Sequence, residues 1–207
     1  MSLDAAIKIP FITPPDADMT VARRALTLSD GYETSLIEWA GPGEPTGLPV
    51  LYTHGIQSHP GWFSSSAQAI ARAGHRVYML TRRGSGDNPA RRGDAPSVRR
   101  LMSDLDDAMD AIRQASGAEQ CHAVGVSWGG KWLTNYCCRA DRQSRLRSLV
   151  LSTPGIISRV NVSGGVKVMI GLSLLSWPAR RFAIPLSAPD LFSDDREFCD
   201  FVEADPY

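Results

Sequence analysis

Neither sign of charge is in excess: 22 Lys and Arg stand against 22 Asp and Glu, so the formal net charge is zero at pH 7. Binding to nucleic acid or an anionic surface through a bulk field needs such an excess, so no nucleic-acid partner is expected. Cysteine is scarce, four residues at Cys121, Cys137, Cys138 and Cys199, with no Cys-x-x-Cys pair and no histidine cluster beside them. That excludes the usual zinc spacings and a disulfide framework; reduced thiols, no metal and no cofactor are the expectation. Long apolar runs are missing too. The most apolar stretch, 168–177, is interrupted by Gly171, Ser173 and Ser176 and ended by Pro178. It falls short of the ~20 residues that cross a bilayer, so no integral membrane segment is expected. The first residues lack the basic, apolar and small-residue order of a secretory leader, which reads as a cytoplasmic protein. Repeats and low-complexity tracts are absent.

What is present is a globular composition, 43% hydrophobic and 21% charged, over 207 residues. It suffices to bury a core and fits one domain with a small appendage. Residues 25–40 alternate apolar and polar positions around Ser29-Asp30-Gly31, a hairpin pattern with an Asp-Gly turn. Four short apolar runs come next, at 50–53, 77–80, 122–126 and 149–151. Short runs without alternation predict strands covered on both faces, as in a parallel sheet. Helical patterns separate them. One starts at the N-cap Ser97 and sets Val98, Leu101, Met102, Leu105, Ala108, Met109 and Ile112 on one face before Gly117. Asp104, Asp106, Asp107 and Asp110 are then expected as solvated charges on its other face. A second helix is predicted over 65–73, ending at Gly74, and a third from Gly130 through Cys138 to Ala140. Strand and helix alternating in this way predict an α/β sheet with right-handed crossovers. Beyond Gly155 the pattern changes, as Gly164-Gly165, Pro178, Pro185 and Pro189 break apolar stretches into short helices. Three parts are expected: an N-terminal extension over 1–24, an α/β core over 25–155, and a helical segment over 156–207.

The strongest chemical signal is Gly125-Val126-Ser127-Trp128-Gly129-Gly130 between a predicted strand and a predicted helix. A Gly-x-Ser-x-Gly in that setting reads as a nucleophile elbow: a turn too tight for side chains at Gly125 and Gly129 lifts the Ser127 hydroxyl over a helix N-terminus. His54-Gly55-Ile56 ends the first core strand and leads into a loop 57–63 containing His59. After the next strand comes Arg82-Arg83-Gly84-Ser85-Gly86. Dinucleotide binding there is discounted, because Pro89 stands where the third glycine would be. With the total charge balanced, Arg82, Arg83, Arg91, Arg92, Arg99 and Arg100 are expected on a solvated surface.

Together the His-Gly strand end, the Arg-Gly-Ser-Gly turn and Gly-Val-Ser-Trp-Gly-Gly resemble the α/β-hydrolase superfamily. Within it the chain is similar to the monoacylglycerol lipase, lysophospholipase and serine aminopeptidase (S33-like) group. Leu191-Phe192-Ser193-Asp194-Asp195 and Ala204-Asp205-Pro206 resemble that group's helical lid, which assigns that role to 156–207. The resemblance implies a mostly parallel sheet with helices on both faces, Ser127 as nucleophile, and the Ile56 and Trp128 N–H groups as oxyanion donors. It implies a small ester or lipid-like substrate cleaved through an acyl-enzyme. Two positions depart from the group's pattern, Thr81 where Asp is common and Val126 where His is common, and neither removes a catalytic atom.

A serine nucleophile also needs a base held by an acid, and in this fold both come later in the chain than the serine. His54, His59, His75 and His122 all precede Ser127. His59 is the one candidate substitute base; structural roles are expected for the others, with His54 shaping the oxyanion loop. The residues after Ser127 are used by one helix, one strand and the lid, so the expectation is a core lacking its last strands, an N-terminal portion of a hydrolase. An aminopeptidase or amidase, or a catalytically incomplete fragment serving as a binding module, are the alternatives.

Overall fold

The computed structural model describes residues 2–3, 5–88, 92–157, 162–177, 180, 182 and 188–207. Pro89, Arg91, Pro178 and Pro185 lie outside the described residues. The chain divides into two compact units, Met1–Ile156 with Tyr207, and Ile157–Pro206.

The first unit is a seven-stranded sheet. Its strands are β1 (Ser2–Leu3), β2 (Thr20–Thr27), β3 (Glu33–Ala40), β4 (Val50–Thr53), β5 (Val77–Thr81), β6 (Cys121–Val126) and β7 (Leu146–Ser152), in the spatial order β1-β2-β3-β5-β4-β6-β7. The expected hairpin is β2 against β3, antiparallel from Thr20↔Ala40 to Thr27↔Glu33. The Leu28 N–H donates to Tyr32 O at 2.9 Å to close it, and Gly31 takes the left-handed φ of 81° that the reversal needs. β4, β5, β6 and β7 run parallel, so each connection carries a helix. α1 (Ser64–Arg72) links β4 to β5, α2 (Val98–Ser116) links β5 to β6, and α3 (Trp128–Tyr136) with the short α4 (Ala140–Gln143) links β6 to β7.

Strict alternation along the strands serves two cores. Leu36, Leu51, Tyr78, Leu80 and Ala123 face α2 and α3, where Leu101, Leu105, Ile112, Trp132 and Leu133 meet them. Ile37, Trp39, Val50, Tyr52, Val77 and Met79 face the other way, onto Ala67 and Ala71 of α1. Because both faces are covered, these strands read as unbroken apolar runs. Residues 1–24, expected as an extension, contribute Ile9, Met19 and Val21 to the second core. α3 begins two residues before the predicted Gly130, for a reason that lies in the site. At β7, which among the described residues is paired with β6 alone, Val150 is 54% exposed.

Two expectations about charge are corrected. Asp104 is buried, not solvated, and its carboxylate accepts from Arg83 Nε at 2.6 Å and Arg100 Nε at 2.8 Å. Arg82 and Arg83 are each only 6% exposed rather than on a basic surface. A charge leaves water at a cost that hydrogen bonds must offset, and both guanidinium groups are hydrogen-bonded here.

In the second unit, α5 (Gly164–Ser176) is capped by Ser163, whose Oγ accepts from the Val166 N–H, and α6 (Arg196–Ala204) by Asp195, which accepts from the Glu197 N–H at 3.0 Å. α5 exposes Val168, Leu172, Leu174 and Leu175. No helix among the described residues is long and apolar enough to cross a membrane.

Candidate active site

β5 lies on one side of β4 and β6 on the other, so the connections leaving the adjacent carboxyl ends of β4 and β6 diverge. A crevice opens at such a switch point. Two of the sequence motifs meet there: Thr53 pairs with Gly125, placing His54-Gly55-Ile56 beside the turn that carries Ser127.

Ser127 is a sharp bend between β6 and α3, with φ 52° and ψ −116°. A non-glycine residue in that region carries strain of about 1–3 kcal/mol and persists only where its surroundings enforce it. They do so on every side. Its N–H donates to Ser152 O at 3.0 Å, and its C=O accepts from Gly155 N–H at 2.9 Å and Lys131 N–H at 3.2 Å. A Cβ on Gly125 would stand 2.7 Å from Gly130 Cα, and one on Gly129 would stand 2.5 Å from Thr53 O and 2.6 Å from His54 O. The two glycines are thus fixed by backbone approach, and the same contact pulls the start of α3 back to Trp128. Gly130 belongs with them: its Cβ would come within 3.0 Å of Pro154 Cβ. The Ser127 side chain is half-buried at the head of α3.

Trp128 opens α3, so its N–H has no carbonyl one turn earlier to bond. Among the described residues, neither it nor the Ile56 N–H has an intrachain acceptor. Gly55 lies between the two loops; a Cβ there would be 3.7 Å from Ser127 Cβ and 3.2 Å from Ser58 Oγ. That Ser58 hydroxyl is buried without a partner among the described residues. Ser58 carries no motif, and no sequence signal marks it.

The histidines sort clearly. His54 is buried, its Nδ1 donates to Gly55 O at 2.9 Å, and its Nε2 accepts the Arg82 N–H at 3.2 Å. Burial, then the Arg82 cation, hold it well below the ordinary histidine pKa, so it is a neutral strut under the Gly55-Ile56 peptide. His59, the candidate substitute base, caps the 3-10 turn Pro60–Phe63, its Nδ1 accepting from Gly61 N–H at 3.0 Å. Its ring is buried edge-on against Trp62 and Tyr207. His75 and His122 pack together, centroids 5.5 Å apart, and bond to Leu48 O and Ser148 Oγ. They sit at the opposite strand ends, and His122 is about 16 Å along β6 from Ser127 at the usual rise per residue.

Residues 44–207 match the family described as serine aminopeptidase, S33. The chain belongs to that family. The S33 chain is also similar to solved structures. Over 99% of its length it superposes on a soluble variant of monoglyceride lipase from Saccharomyces cerevisiae in complex with a substrate analogue, with TM-score 0.71, 19% identity and 64% of that chain covered. Over 90% it superposes on monoacylglycerol lipase from Paleococcus ferrophilus, with TM-score 0.67, 20% identity and 63% of that chain covered. A curated relative is RutD of Variovorax paradoxus (strain S110), which carries the name of a carbamate hydrolase; it is 29% identical over 109 residues, 53% of this chain and 39% of that protein. The S33 chain therefore spans less than two thirds of the length of each of these relatives. The fold is the α/β-hydrolase fold, with mixed strand directions.

Proposed function

We propose that this chain carries the nucleophile and oxyanion site of a serine hydrolase acting on carboxylic esters of small apolar or lipid-like substrates. The observation that carries the reading is the enforced bend at Ser127 with two N–H groups, Ile56 and Trp128, that have no acceptor among the described residues, at adjoining strand ends. On this reading the bend is a nucleophile elbow. The Ser127 oxygen attacks the ester carbonyl and gives its proton to a base; the oxyanion settles between the two N–H groups; collapse expels the alcohol, and water releases the acid from the acyl-enzyme. One such donor is worth roughly 10²–10³ in rate. The exposed apolar side chains of α5 support an apolar substrate, and the segment 156–207 is read as a lid from its resemblance to the S33 group. Amide or peptide cleavage at the same serine is the alternative within this chemistry.

A second reading has its own observation. His54 is locked by two hydrogen bonds, His59 caps a turn, and His75 and His122 stand at the far strand ends. With its histidines so engaged, the chain would bind an ester or acyl group without turning it over. A fluorophosphonate probe on the purified chain separates the two. Labelling of the folded protein that Ser127→Ala abolishes is the expected result; a folded, unlabelled chain favours the binding module.

A further inference from the structure

Arg82 is buried beside the bend, and no carboxylate among the described residues pairs with it. Its Nη2 donates to Ile56 O and to Ser85 Oγ, each at 2.6 Å, and its Nη1 reaches Gly55 O at 3.5 Å. The guanidinium lies on the Trp128 indole with Cζ 4.5 Å from the ring centroid. Its own backbone N–H holds His54 Nε2. One side chain therefore touches both residues whose N–H groups form the proposed oxyanion site.

Peptide planarity turns these contacts into aim. The Gly55 carbonyl and the Ile56 N–H share one rigid unit and point in opposite directions. Holding that carbonyl between His54 Nδ1 and Arg82 Nη1 sets the direction of the Ile56 N–H, and the bond to Ile56 O fixes the following peptide. On the other side, a cation on the indole face restrains the ring at the first residue of α3, from which the second N–H emerges. The planar fork matters as much as the charge, because three acceptors and a ring face are engaged at once.

We infer that Arg82 is a positioning residue for the oxyanion site, setting the direction of the Ile56 and Trp128 N–H groups and adding a positive charge that no carboxylate of the described residues pairs with. This rests on the serine-hydrolase reading for its catalytic meaning, though not for its geometry. Burial lowers the guanidinium to about 10, still far above neutrality, so the charge persists across the working range.

The test uses the full chain with Arg82→Met and Arg82→Lys. Backbone amide resonances of Ile56 and Trp128 report the geometry, with Ala123 and Leu133 as internal references. Saturation kinetics of fluorophosphonate labelling report the chemistry. In Arg82→Met both amides are expected to shift while the references stay. The maximal labelling rate should fall about 10- to 100-fold, less than loss of a whole donor, with the probe's half-saturation concentration unchanged. Arg82→Lys, which keeps the charge and one donor, should recover part of that rate. Unmoved Ile56 and Trp128 amides in a folded variant overturn the inference, as does a loss confined to half-saturation. Should Arg82→Met not fold, the same readouts on Arg82→Lys decide. An unlabelled wild type sinks the hydrolase reading alone, and the amide measurement still judges Arg82.

Discussion

The turn after β5 has two sides, each built around a buried arginine. On one side Arg83 meets Asp104 through Nε at 2.6 Å and Nη2 at 2.8 Å, and meets Asp30 at 3.0 Å. Arg100 joins from α2, bonding Asp104 and Asp107. The hydrogen bonds to Asp104, ahead of the cost of burial, raise the Arg83 pKa. On the other side Arg82 is held by two carbonyls, a hydroxyl and an indole, and burial lowers its pKa to about 10. The same residue type at the same depth therefore does two jobs. The neutralised side fastens α2 to the sheet. The other side keeps its charge next to Ile56 and Trp128, where, on the proposed serine-hydrolase reading, a negative transition state would use it.

The largest effect should come from breaking the neutralised side. Asp104→Ala strands Arg83 in a buried place with its main partner gone, and a broken buried pair costs about 3–5 kcal/mol. Urea denaturation should show that loss in the midpoint. Replacing both partners together, Arg83→Met with Asp104→Leu, should return most of it, because the pair itself is worth little against well-packed apolar groups. A double variant no more stable than Asp104→Ala would show that the network does more than neutralise a charge.

The next effect belongs to the bend. Gly129→Ala would place a methyl 2.5 Å from Thr53 O, and that oxygen is part of β4 and cannot step aside. Overpacking of this kind costs typically about 1–3 kcal/mol. Labelling should suffer more than stability, because Ser127, Ile56 and Trp128 shift together; full labelling in Gly129→Ala would break the link between the close approach and the chemistry.

The strands, the hairpin and α2 were readable because each arises from local pattern: covered strands give short apolar runs, and Ser97 with the three-and-four spacing gives α2. The Ser127 bend was readable from its glycines and its place between strand and helix. The features that stayed hidden depend on partners far away in the chain. Asp104 looks like any solvated helix acid until Arg83 and Asp30 are brought to it, and the pairs are 21 and 53 residues apart. Arg82 looked like one charge in a basic stretch, since its partners are backbone carbonyls, a hydroxyl and an indole rather than a carboxylate, and no charge pattern announces them. Gly129 and Gly130 argued for a later start to α3; the contact with Thr53 overrides their poor helix propensity.

The Arg82 side makes its own prediction about pH. His54 has a pKa depressed in the folded chain by burial and by Arg82. The unfolded chain therefore takes up a proton first as pH falls below the ordinary histidine value of about 6.5. Stability from this group is fully present above that pH and is lost as pH falls toward the folded value, at up to about 1.4 kcal/mol per unit. His54→Gln, whose amide can still donate and accept, should flatten this slope between about pH 6.5 and 5.5. A slope identical to wild type would place the dependence elsewhere and weaken the view of His54 as a permanently neutral strut.

The smallest effect tests how far the neutralised side depends on its helix. Ser97 Oγ accepts from the Arg100 N–H at 3.0 Å, so the cap sits at the backbone of a residue whose side chain bonds Asp104. Ser97→Ala should cost about 1 kcal/mol, the ordinary worth of an N-cap. In the Asp104→Ala background the cost should be the same if the cap only stabilises the helix end, and smaller if it also fixes Arg100 for the network, because that partner is then gone. A double-mutant cycle measures the difference directly. A coupling above about 0.5 kcal/mol would make the N-terminus of α2 part of the charged cluster, while additivity would leave the cluster resting on Arg83, Asp30 and the middle of the helix.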